Sequence, residues 1–132
     1  MKRLVILVAA IVLVGAACGG GDDGGSDGGG GANATPVSIA PPDASRGEGL
    51  FGGTCTACHG ADAKGLVGLG KDLTDNSFAD GLTDEELVAF LIEGRPAGDP
   101  LNTTGVDMQP RGGNADLSDQ DLFDIVAYLR TL

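Results

Sequence analysis

The chain has one histidine, three cysteines and two methionines, one of them the initiator. The residue types that build most metal cages and covalent links are nearly absent, so each one present can be weighed individually. Basic side chains are also scarce. Eight Lys and Arg stand against nineteen Asp and Glu, for a net charge of −11. Phosphates would be repelled, so nucleic acid is excluded as a partner. An acidic protein is steered instead towards basic docking patches, with association that slows in salt. No stretch shows strand-like alternation, which leaves an all-α reading. The longest apolar run, Leu4 to Ala17, has fourteen residues. At ~1.5 Å per residue it is too short to cross a ~30 Å hydrocarbon core comfortably. A length of 132 residues allows one domain.

What is there begins with Cys55-Thr56-Ala57-Cys58-His59. This is C-x-x-C-H, the attachment signature of a c-type haem. Two thiols three residues apart can each add to a vinyl group of one porphyrin. The histidine that follows is then set under the iron as its proximal ligand, and His59 has no competitor in this chain. Zinc would need four N/S ligands, and the only other cysteine is Cys18, far upstream. A thioredoxin-like C-x-x-C would sit near a βαβ pattern, which is missing. A sixth ligand would close the iron to substrates, and Met108 is the one methionine besides the initiator. It lies in an aperiodic stretch from Arg95 to Ala115, unusually long for a structureless loop in a compact domain. A loop draped over a haem face can deliver a thioether; a loose exposed methionine is the alternative.

The first residues have the layout of an export signal. Lys2 and Arg3 precede the apolar run, and Gly15-Ala16-Ala17 precede Cys18. A cysteine after small residues resembles a bacterial lipobox, in which the thiol is lipidated and becomes the mature N-terminus. Gly15 stands where such motifs usually have Leu. Residues 1–17 are therefore read as a signal peptide, and 18–42 as a lipidated cysteine with a flexible linker. Ordinary cleavage near Ala17 and an uncleaved anchor are the other readings. Nine glycines fall between Gly19 and Gly31, with nothing apolar to bury. A coil of that kind has an r.m.s. span of about 25–30 Å. The expected mature protein is tethered to the outer face of the cytoplasmic membrane.

Residues 43–132 form the expected domain. Asp43 or Ser45 can cap a first helix in which Ala44, Gly47, Leu50 and Phe51 share a side. A glycine on that side points to a second helix crossing closely. Leu66, Val67, Leu69 and Leu73 could pack on a porphyrin or simply anchor their loop. Thr83-Asp84-Glu85-Glu86 is a capping box for a helix that stops at Gly94. Ser118 caps the last helix, whose Leu122, Ile125, Val126, Leu129 and Leu132 form an amphipathic stripe.

Taken together, Arg46-Gly47-Glu48-Gly49-Leu50-Phe51, C-x-x-C-H-G, Gly68-Leu69-Gly70-Lys71-Asp72-Leu73, Gly94-Arg95-Pro96, Met108-Gln109-Pro110 and Asp124 to Arg130 resemble a class I c-type cytochrome of the small bacterial monohaem kind. The resemblance covers Asp43 to Leu132. It implies a small all-α cytochrome c fold, three to four helices and long loops around one covalently attached haem c. It also implies His59 and Met108 as axial ligands, Cys55 and Cys58 as thioether links, and Gly47 and Phe51 near Tyr128. The family often has Pro where Lys71 stands, with a carbonyl that accepts the proximal histidine's N–H; the Lys71 carbonyl can do the same. The function implied is outer-sphere electron transfer between redox partner proteins, not catalysis. A fixed haem c subunit of a membrane oxidoreductase is the alternative, and a sensor or peroxidase with a displaceable Met108 is a third.

Overall fold

The computed structural model describes residues 38–132. The expected signal, Cys18 and the glycine-rich run lie outside the described residues. Among those described there are five α-helices: α1 Ala44–Thr54, α2 Thr56–His59, α3 Ser77–Asp80, α4 Asp84–Glu93 and α5 Asp119–Leu129. The all-α expectation holds. The helix number exceeds three to four because α2 and α3 are single turns of four residues each, too short to leave a periodicity.

Each long helix starts where its side chains satisfy the free N–H groups of the first turn. Asp43 accepts from the backbone N–H of Ser45 and Arg46 at the start of α1. Thr83 with Glu86, and Ser118 with Asp121, form reciprocal capping boxes on α4 and α5. Helix α4 ends at Gly94, where φ is 74°.

Helices α1 and α5 cross at Gly47. A methyl group there would run into the Asp124 carbonyl and lie 2.9 Å from Ile125 N, so only glycine permits the approach. Beside the crossing, Phe51 and Tyr128 meet with ring centroids 5.4 Å apart. Phe51, Leu122, Ile125 and Val126 are the largest fully buried apolar side chains, and α4 adds Leu87, Val88 and Leu91. Among the described residues, nine buried apolar side chains make a small core.

The same crossing holds a charge cluster in which an exposed arginine covers two buried aspartates. Arg46 pairs with both Asp121 and Asp124, of which Asp124 is almost wholly buried. Asp124 also accepts from Asp43 N–H at 2.9 Å and from Gln120 at 3.0 Å. Burial pushes the Asp124 carboxyl up. The hydrogen bonds from Asp43, Gln120 and Arg46 outweigh that and hold it below the ordinary carboxylate range. Asp121 is held low by hydrogen bonding from Ser118, against burial, with Arg46 adding to the effect. Gln120 further bonds Ala40 through both its amide atoms, so α5 grips the chain ahead of α1. At the far end of α5, Arg130 bonds Asp84 and the carbonyls of Ala79 and Leu82.

Candidate haem-binding site

The last turn of α1 runs directly into α2. Cys55 N–H closes α1 on the Phe51 carbonyl at 2.8 Å, and the Cys55 carbonyl accepts from Cys58 and His59 N–H. One tight turn thus presents Cys55, Cys58 and His59, all half-buried. Both thiols are free. Burial, and secondarily the neighbouring Cys58, push the Cys55 thiol up to about 11. Packed against the apolar cluster, the Cys55 sulfur has a seat that suits a thioether. Among the described residues, no three His, Cys, Asp or Glu side chains gather as a metal cage.

The imidazole is oriented by the backbone. His59 Nδ1–H donates to the Lys71 carbonyl at 2.8 Å. With Nδ1 carrying the proton, Nε2 keeps its lone pair and is the nitrogen free to bind a metal. Lys71 therefore serves where the resembled family often has proline. The intervening loop folds back on the motif, with Gly65 N–H on the His59 carbonyl at 2.7 Å and Leu66 N–H on the Cys58 carbonyl at 3.0 Å. That loop exposes Leu66, Val67 and Leu69, Val67 completely, while Leu73 packs against the core.

Met108 is half-buried and packs against the same apolar cluster as Cys55. Its segment is fixed upstream by a pair of backbone bonds, Arg95 N–H to the Met108 carbonyl and Met108 N–H to the Arg95 carbonyl, each 2.8 Å. Gly94 makes this approach possible. A methyl there would collide with the Met108 carbonyl and sit 2.8 Å from Pro110 N. Downstream, Arg111, Gly112 and Gly113 form a left-handed turn with φ of 53°, 67° and 86°. Arg111 secures it by donating to the Leu117 carbonyl at 2.8 Å and to Asp119 at 2.6 Å. Asn114 then reaches Thr54 Oγ1, beside Cys55, at 3.4 Å. The chain that carries Met108 is thus brought back against the end of α1 and the haem motif.

The donor set fits a covalently held haem. Two free thiols, one oriented imidazole with an open nitrogen, and unsatisfied apolar side chains on the adjoining loop are what a flat apolar ring with a central iron requires. Cys18 lies outside the described residues. Sequence reasoning missed the Arg95 anchorage. Its aromatic partners, Phe78 and Phe90, come from two different helices, and no local spacing signals that.

A few short helices wrapped around such a turn define a small monohaem c-type cytochrome, whose cofactor is covalently bound haem c. Residues 42–129 match the family described as cytochrome C oxidase, cbb3-type, subunit III, and the chain belongs to that family. It is similar to the cytochrome c-554(548) of Halomonas halodenitrificans, 34% identical over an alignment of 94 positions that covers 65% of this chain and 92% of the relative. It is also similar to the Cbb3-type cytochrome c oxidase subunit FixP of Bradyrhizobium, 30% identical over 88 residues. The CcoP subunit of Rubrivivax gelatinosus is 43% identical over 49 residues. The alignments cover 67% and 37% of this chain, but only 30% and 16% of those two oxidase subunits. Electron transfer is the function of the class.

Proposed function

We propose that the protein is a membrane-tethered carrier of single electrons, with Cys55 and Cys58 as the thioether residues and His59 and Met108 as the axial ligands. The observation that carries this reading is the 2.8 Å bond from His59 Nδ1–H to the Lys71 carbonyl. It fixes the tautomer and turns Nε2 into the donor. When bound, the haem supplies a reversible one-electron couple, raised in potential by Met/His ligation and by burial. The protein's own task is to hold both ligands, keep water away and offer a docking surface. Were His59 and Met108 both to hold the iron, no coordination position would be left for a substrate, and the protein would act without catalysis of its own.

Lipidation at Cys18 would hold the domain at the outer face of the cytoplasmic membrane. No helix among the described residues is long and apolar enough to cross a membrane. The acidic charge favours redox partners with basic docking patches. A second reading, a fixed haem c station within an oxidase, is favoured by the two oxidase-subunit relatives.

The test is made on holoprotein extracted from membranes in mild detergent. A carrier migrates alone, exchanges electrons with a basic redox protein at a rate that falls with salt, and leaves carbon monoxide unbound when reduced. Migration with a large oxidase assembly would establish the second reading. Rapid carbon monoxide binding would overturn both in favour of a sensor or peroxidase.

A further inference from the structure

We infer that Arg95 is a positioning residue for Met108: its guanidinium, seated on the rings of Phe78 and Phe90, fixes the backbone that holds Met108 and thereby sets how readily the thioether gives way to another ligand. The inference rests on Met108 being an axial ligand.

The Met108 main chain is bonded to Arg95 through both its N–H and its carbonyl. This is an isolated bridge, without a ladder of neighbouring strand bonds to reinforce it. Across it the next residues are tied only through side chains, Asn102 donating to the Pro96 and Val106 carbonyls at 3.1 and 2.8 Å and Asp107 accepting from Ala97 N–H, so its rigidity depends besides on whatever holds Arg95. On one side that is Gly94, whose N–H closes α4 on the Phe90 carbonyl at 2.8 Å. On the other it is the Arg95 side chain. Its Cζ lies 4.4 Å from the Phe78 ring centroid and 4.8 Å from that of Phe90. The two rings meet edge to face with centroids 5.0 Å apart. A planar guanidinium on such a shelf is held by ring electrostatics and by area. Arg46, Arg111 and Arg130 each pair with aspartate. Arg95 alone among the described arginines uses aromatic faces instead. Phe78 belongs to α3 and Phe90 to α4, so two helices converge on the residue that pins the Met108 segment.

The experiment titrates ferric holoprotein with imidazole and follows the far-red absorption of a thioether-ligated ferric haem. The variants are Arg95→Ala and Phe78→Leu, with Arg130→Ala as the control. Arg130 braces α5 against α3 and α4 but does not touch the Met108 segment. Arg95→Ala is expected to lower the apparent dissociation constant for imidazole about tenfold, the size of a partly desolvated cation–π contact. Phe78→Leu, which keeps the charge, is expected to lower it severalfold. Arg130→Ala is expected to lower the denaturation midpoint and leave imidazole binding unchanged. Unchanged binding in both Arg95→Ala and Phe78→Leu would overturn the inference. So would an equal shift in Arg130→Ala, which would mark general loosening. A wild-type ferric protein lacking the far-red band would sink the axial reading and the inference together. A normal band with unresponsive variants would sink the inference alone.

Discussion

The paired substitutions Gly47→Ala and Gly49→Ala separate helix propensity from helix packing, because the two sites are two residues apart on α1 and differ only in what faces them. At Gly49 a methyl meets nothing within 4 Å. The substitution should stabilise by up to about 1 kcal/mol, the difference between glycine and alanine in a helix interior. At Gly47 the same gain is available, but the methyl runs into the Asp124 carbonyl, and Ile125 N is only 2.9 Å away. Backbone atoms cannot rotate aside, so α1 and α5 must part by about 1 Å or more. A radial gap of roughly 0.5–1 Å forfeits a quarter to a half of the attraction at each contact across it. The contacts at stake include Phe51 against Tyr128 and the buried face of Leu122, Ile125 and Val126. Overpacking of this kind costs about 1–3 kcal/mol, occasionally more, so a net loss of up to about 2 kcal/mol remains after the propensity gain. For a domain of this size that is a fall in Tm of up to roughly 8–16 °C. Thermal unfolding of the two holoproteins, followed by circular dichroism, measures it directly. Equal midpoints, or a Gly47→Ala variant more stable than wild type, would refute the close crossing.

Acid stability gives a second check. Asp121 and Asp124 have folded-state pKa values below their unfolded ones. Their contribution is therefore complete above the ordinary carboxylate pKa of ~3.9 and is lost as pH falls through the lower folded values. Urea midpoints measured against pH should fall steeply below that point in wild type and less steeply in Asp124→Asn. Thr83→Ala removes one half of the α4 capping box. It should cost about 1 kcal/mol, or roughly 4–8 °C in Tm, and an unaltered melt would count against that cap. Cys55→Ala and Cys58→Ala should each retain haem through one remaining thioether on a denaturing gel. The double variant should lose it; haem staining of the double variant would contradict attachment through this turn.

Much of the fold was legible because it is written in short-range chemistry. Asp43, Thr83 and Ser118 cap the helices their sequence positions indicate. Gly47 on an apolar face does mark the α1–α5 crossing. The C-x-x-C-H turn needs only five consecutive residues. The helices α2 and α3 were not legible, since one turn is shorter than any periodicity that could announce it. The Arg46 cluster joins residues 75 and 78 positions apart, and acidic residues on an amphipathic helix ordinarily face solvent. The Met108 segment looked aperiodic, and it is. Its order comes from a single backbone bridge, the bonds Asn102 makes to the Pro96 and Val106 carbonyls, a left-handed turn at Arg111 and an arginine resting on two rings. Leu66, Val67 and Leu69 stand exposed on the loop that covers the haem motif. Only Leu73 of that apolar set joins the core cluster.

Optical and magnetic spectroscopy of the purified holoprotein, wild type beside Met108→Ala, bears most directly on an iron held between His59 and Met108. The expected wild type is low-spin in both oxidation states, with the sulfur signature in the ferric form. Met108→Ala should become high-spin or take up small ligands. A high-spin wild type, or a variant with an unchanged spectrum, would contradict it.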